Sequence, residues 1–119
     1  MDFEYKMVVA VRRDIKIGPG KTAAQVGHAC VNLALMKRNQ ERKAFRAWLE
    51  EGQKKVVVKV PGLKELYALK EAAEARGLPT TVIQDAGLTE VEPGTVTCLG
   101  IGPAASGDLD PVTGHLTLL

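Results

Sequence analysis

Aromatic side chains are scarce in this 119-residue chain: Phe3, Tyr5, Phe45, Trp48 and Tyr67 make up 4% of it. So few rings leave little for a nucleic-acid surface built on base stacking. Serine is scarcer still. Ser106 stands alone in an Ala-Ser-Gly loop without the G-x-S-x-G turn of a nucleophile elbow, so a Ser-His-Asp triad has no support. The two histidines, His28 and His115, lie near opposite ends, and no Cys or His pair has zinc spacing, so neither a metal nor another cofactor is expected. Cys30 and Cys98 sit inside apolar segments and read as buried, reduced thiols of a cytoplasmic protein. No apolar run approaches the length of a membrane span. The opening Met1-Asp2-Phe3-Glu4 is acidic, unlike the start of a secretory signal. Strong net charge is missing too: sixteen basic against fourteen acidic residues give +2, which says little about partners.

What the chain does have is 45% hydrophobic content, enough for one compact domain over residues 1–119. Lys6 to Arg13, KMVVAVRR, reads as a buried strand, and Lys54 to Val60, KKVVVKV, as a second, closed by Pro61-Gly62. A helix is expected from Lys21 to about Asn39, another near 40–51, and a third from Leu63 to Arg76 with Gly77 as its cap. Thr80 to Gln84 and Thr95 to Ile101 complete four strands, the last followed by Gly102-Pro103. Ala104 to Gly107 reads as a loop. Strands alternating with helices indicate an α/β domain whose helices cover a partly parallel sheet.

The stretch IKIGPGKTAAQVGH, residues 15–28, holds Gly20-Lys21-Thr22, the second half of a phosphate-binding P-loop. Ile15 occupies the place of the first glycine, which weakens that reading, since a β-branched residue resists positive φ. On a helical wheel, Lys21, Gln25, His28 and Asn32 share one narrow line, while the rest of the first four turns is apolar or small apart from Thr22. Such a helix is expected to be largely buried, with its polar line hydrogen-bonded within the protein, bathed in cleft water or aimed at a ligand. Lys21 also opposes the positive end of the helix dipole, a mismatch that a nearby anion would remove. The plainer alternative is that Lys21 reaches solvent and His28 is a satisfied core histidine.

Asp85 directly follows the third strand, where α/β domains commonly hold ligands, although an aspartate there is often only a turn-former. Thr89 and Thr97 offer hydroxyls nearby in sequence. If Asp85 and Lys21 meet, each supplies the charge the other needs. With triads and metals set aside, the remaining hydrolytic apparatus is water held by a carboxylate, with Lys21 stabilising developing negative charge. That suits an activated ester better than an amide.

The stretches YKMVVAVRRDIKIGPGKTAAQVGHA, KKVVVKV, IQDAGLTEVEPGTVTCLGIGP and DPVTGHLTLL together resemble the second type of peptidyl-tRNA hydrolase, from about Tyr5 to Leu119. The motifs G-K-x-A-A-Q-x-x-H-A and Q-D-A-G-x-T followed by T-x-x-G-I-G-P occur in the family's order. The resemblance implies a three-layer α/β/α single domain with a mixed four-stranded sheet, a homodimer, and hydrolysis of the ester joining peptide to tRNA. Carried over by position, it marks Lys21, Gln25, His28, Asp85, Thr89 and Thr97 as site residues. Asp85 would orient or deprotonate water and Lys21 would face the oxyanion or a phosphate. Thr89 and Thr97 would fix the water or ester, and Gln25 and His28 would position neighbours. Leu88 and Pro111 depart from the family pattern, which often has basic residues there, and so bear on tRNA contacts. For the tRNA backbone, the candidate contacts are Arg12, Arg13 and Lys16 beside the opening stretch, and Lys37 and Arg38 further on. Two rival readings use the same residues: a non-catalytic RNA-binding or adaptor domain, and a nucleotide-binding module resting on Gly20-Lys21-Thr22.

Overall fold

A computed structural model describes residues 4–86 and 91–119, so Leu88 and Thr89 lie outside the described residues. Four strands form one mixed sheet in the order β2-β1-β4-β3. They are β1 (Tyr5–Arg12), β2 (Lys55–Val60), β3 (Thr80–Gln84) and β4 (Val96–Ala105). β1 pairs parallel with β2 and antiparallel with β4, and β3 pairs antiparallel with β4. The helices are α1 (Pro19–Leu35), α2 (Lys37–Gln40), α3 (Lys43–Glu51), α4 (Leu63–Ala75) and α5 (Ser106–Thr113).

The layers follow from the period of two in the strands. Met7, Val9 and Val11 of β1 pack on one side with Ala29, Cys30 and Leu33 of α1, Trp48 of α3, and Ile83 and Cys98. Val8 and Ala10 face the other way, into a cluster with Val58, Leu99, Ile101, Leu66 and Leu69 of α4, and Leu109 and Val112 of α5. A central strand covered on both faces must be apolar throughout, which is why MVVAV carries no polar residue. The expected three layers and mixed four-stranded sheet are therefore present.

Three of the departures from the sequence-based expectation have visible causes. The first long helix stops at Leu35 instead of running to Asn39, because Met36 is extended and α2 restarts after it. The buried Asn39 side chain holds the break, its Nδ2 donating to the Leu33 carbonyl (2.9 Å) and the Gly102 carbonyl (3.0 Å). β4 runs past Gly102-Pro103 to Ala105, and the two residues fit because the register with β1 jumps from Val8↔Ile101 to Lys6↔Ala104. An irregularity of this kind leaves no ladder bond for a proline to lose. Finally, Ser106 opens α5 where a loop was expected.

Helix α1 approaches the sheet closely at Gly100 of β4. A Cβ there would stand 3.0 Å from Leu33 Cδ1, 3.1 Å from Thr81 Cγ2 and 3.2 Å from the Ala29 Cβ. Glycine thus sets the helix-to-sheet spacing on the side of the sheet that carries Lys21 and Asp85.

Candidate active site

Helix α1 starts after an extended Gly18, with Pro19 in its first turn, where the absent N–H costs no hydrogen bond. No acidic residue occupies that turn. The anion comes instead from the end of β3: the Lys21 ammonium forms a salt bridge with Asp85 Oδ1. The partners are unequally shielded, the Lys21 side chain being 19% exposed and that of Asp85 only 2%. Main-chain bonds fix the backbone beneath the carboxylate, since the Asp85 N–H donates to the Thr95 carbonyl (2.8 Å) and the Gly94 N–H to the Asp85 carbonyl (2.8 Å).

One turn along α1, Gln25 is buried and donates through Nε2 to Thr97 Oγ1 (2.8 Å), which donates in turn to the Ile83 carbonyl (3.3 Å). The relay ties α1 to β4 and to β3 two residues before Asp85. The Thr97 hydroxyl is fully buried and engaged on both sides within the protein, so it braces the strands. Behind the relay, the Cys98 thiol donates to the Gln25 carbonyl (3.5 Å), and burial pushes it up to about 12. Cys98 therefore stays protonated at neutral pH. Iodoacetamide is expected to leave it unmodified in the folded protein and to label it after denaturation, as peptide mass spectrometry would read.

The outer half of the polar line is exposed, and the helix is less buried than the largely buried one expected. His28 faces solvent, which removes the core-histidine reading, and Asn32 reaches Thr81 Oγ1 of β3 at 3.5 Å. α1 leaves Val31 (55%) and Leu35 (69%) exposed as well. Thr89 lies outside the described residues.

The basic candidates divide into three groups. The Arg12 guanidinium is engaged inside the fold, Nε and Nη2 donating to Asp14 (2.9 and 2.8 Å) and Nη1 to the Val96 carbonyl (3.1 Å). Expected as a phosphate contact, Arg12 instead pins the start of β4 to the end of β1. Asp14, two residues on and of opposite charge, was the available signal for that pairing. Arg13 and Lys16 are exposed on the turn leading into α1. Lys37 and Arg38 are exposed too, but beyond the far end of α1, on the order of 20 Å from Lys21 along the helix. The structure thus brings together Lys21, Gln25, Asp85 and Thr97, and keeps the second basic pair apart from them.

Among the described residues, no three His, Cys, Asp or Glu side chains group as metal ligands would, and no helix is long and apolar enough to cross a membrane. The family profile described as "Peptidyl-tRNA hydrolase PTH2" matches residues 5–119. A protein of Metallosphaera sedula named peptidyl-tRNA hydrolase is 57% identical over 116 residues, covering 96% of this chain and 99% of its own. One of Thermococcus onnurineus with the same name is 51% identical over 117 residues, covering 98% and 99%. A third, from Methanopyrus kandleri, is 52% identical over 115 residues, covering 97% and 98%. With a specific cation–carboxylate pair at the end of β3 and the family's pattern running through nearly its full length, this chain belongs to the peptidyl-tRNA hydrolase family of enzymes.

Proposed function

We propose that the chain hydrolyses the ester between peptide and tRNA, with Asp85 orienting the attacking water and Lys21 stabilising the charge that develops. The observation that carries this reading is the meeting of Lys21 and Asp85 across two elements that are distant in sequence. Asp85 accepts the proton of a water that attacks the ester carbonyl carbon. Negative charge gathers on the carbonyl oxygen, beside the Lys21 ammonium. The bond to the ribose oxygen then breaks, the proton held by Asp85 passes to that oxygen, and the tRNA leaves with its terminal hydroxyl restored. Gln25 and Thr97 keep α1, β3 and β4 in the relative positions that this requires. His28 and Thr89 remain candidates for contacts with the substrate.

Arg13 and Lys16 lie on the turn that leads into Lys21 and suit the phosphates nearest the ester; Lys37 and Arg38 suit a more distant part of the backbone. Such contacts give affinity without reading sequence, and make it fall with salt. A homodimer in the cytoplasm completes the proposal, with the exposed Val31 and Leu35 of α1 as apolar surface a second copy could cover; sedimentation velocity would measure it.

The test is release of tRNA from N-acetyl-aminoacyl-tRNA in buffer stripped of metal and held in chelator. Hydrolysis is expected to proceed undiminished. Bound tRNA whose ester survives long incubation would make the chain a non-catalytic adaptor instead.

A further inference from the structure

The two edges of the sheet are finished differently. Along β2 the chain closes its own edge: the Lys59 N–H donates to the Thr117 carbonyl (2.9 Å), the Leu119 N–H donates to the Val57 carbonyl (3.0 Å), and Val58 bridges Leu118. β3 is the opposite edge and pairs with β4 alone, from Thr80↔Ile101 to Gln84↔Val96. Among the described residues, no backbone group bonds to its outer side. Its sequence, TTVIQ, has no charge and no proline, and four of its five residues are β-branched. Proteins usually guard an edge with charges, prolines or a covering segment, and an unguarded one is a template for another strand.

We propose that the open edge of β3 is the track for the peptide part of the substrate, which adds to the sheet as a fifth strand parallel to β3. This rests on the hydrolase reading of Lys21 and Asp85. The choice of occupant follows from continuity, because the last residue of β3, Gln84, is followed directly by Asp85. A peptide esterified through its C-terminal carboxyl leaves the reacting carbon with its N-terminus pointing away. Laid back along β3 from Asp85 towards Thr80, it must run in the same direction as β3. The strand has five residues. At about 3.3 Å per residue it accommodates roughly four or five residues of peptide.

Main-chain pairing also matches what such a substrate demands, since hydrogen bonds to peptide groups do not depend on side chains. The flanks of the track are polar and undemanding. On the α1 side stand Asn32 and Thr81. On the α4 side, Thr80 donates to Glu74 (2.9 Å). A depression of about 690 Å³ lies on the other flank of α1, against β2, whereas one of about 490 Å³, lined by Arg38, Lys70, Glu74, Thr80, Thr81 and Val82, borders the first half of β3. That second depression is placed to receive residues several positions upstream of the ester.

The test compares substrates on one tRNA with one esterified amino acid, using the full chain. One carries a single N-acetylated residue and another a tetrapeptide; further tetrapeptides carry one N-methylated backbone nitrogen at successive positions. The tetrapeptide is expected to lower KM by about tenfold, the effect of two or three main-chain hydrogen bonds. N-methylation is expected to raise KM at alternate positions only, because successive N–H groups of a strand point to opposite edges. Equal KM for one and four residues, or N-methyl effects without alternation, would overturn the proposal while leaving the hydrolase reading intact. No hydrolysis of any substrate would overturn both. Amide hydrogen exchange adds a second measurement: the outward N–H groups of β3 should exchange freely in the substrate-free protein. Protection there that disappears on dilution would show a second copy on the edge, and would also overturn the proposal.

Discussion

Asp85→Asn is expected to lower the single-turnover rate on peptidyl-tRNA by about 10²–10⁴-fold, the usual contribution of a positioned acid or base. The amide keeps the size of the carboxylate but can neither take a proton from water nor carry the charge that makes that water nucleophilic. Folding should survive. The main-chain bonds from Asp85 to Thr95 and Gly94 do not involve the side chain, and the partly exposed Lys21 can turn its ammonium towards solvent. Affinity for tRNA should also survive, because Asp85 is buried and Arg13 and Lys16 are untouched. Measured turnover near that of the unaltered chain would remove Asp85 from the chemistry, whatever happened to stability.

The opposite half of the pair should behave differently. Lys21→Met strips the counter-charge from a carboxylate whose side chain is only 2% exposed, and it is expected to cost about 3–5 kcal/mol of folding stability. The asymmetry comes from shielding: a cation at the rim recovers its hydration when its partner goes, whereas an anion in the interior does not. Denaturant titration of the single variants and of Lys21→Met combined with Asp85→Asn would read it directly. The double variant should regain most of the loss. A Lys21→Met protein as stable as the parent would show that other groups carry the charge of Asp85, and the pair would lose its standing as the structural reason a carboxylate persists there.

Much of this arrangement could be read from residue order alone. The β-branched runs of β1, β2 and β3 and the Leu66, Leu69 and Ala73 stripe of α4, ended by Gly77 at a positive φ of 74°, are local signals obeyed locally. The convergence of Lys21 with Asp85 was legible because each is oddly placed by itself: one cation at the wrong end of a helix, one anion at the end of a strand. What escaped depends on partners far along the chain. Nothing in Met36-Lys37-Arg38-Asn39 forbids a continuing helix, and the break comes from Asn39 reaching the Gly102 carbonyl. α5 carries Gly107 and Pro111, poor helix formers both, and is held by Leu109 and Val112 burying against the sheet. Arg12 looked like a hand held out to phosphate because Val96, which it grips, is 84 positions away. The alanine-rich surface of α1 looked buried all round because small apolar residues do not reveal which side of a helix meets the sheet.

The bare backbone of Gly100 bears on how this protein tolerates being made sturdier. Replacing glycine by alanine inside regular structure is a common route to heat resistance, since it restricts the unfolded chain. Gly27, on the outer side of α1 with nothing within 4 Å of a new methyl group, is open to that treatment. At Gly100 the same methyl would wedge Leu33 and Ala29 outward and lift the helix that carries Lys21. Alanine is thus expected to add heat resistance at Gly27 without touching the site, and at Gly100 to cost heat resistance and turnover together.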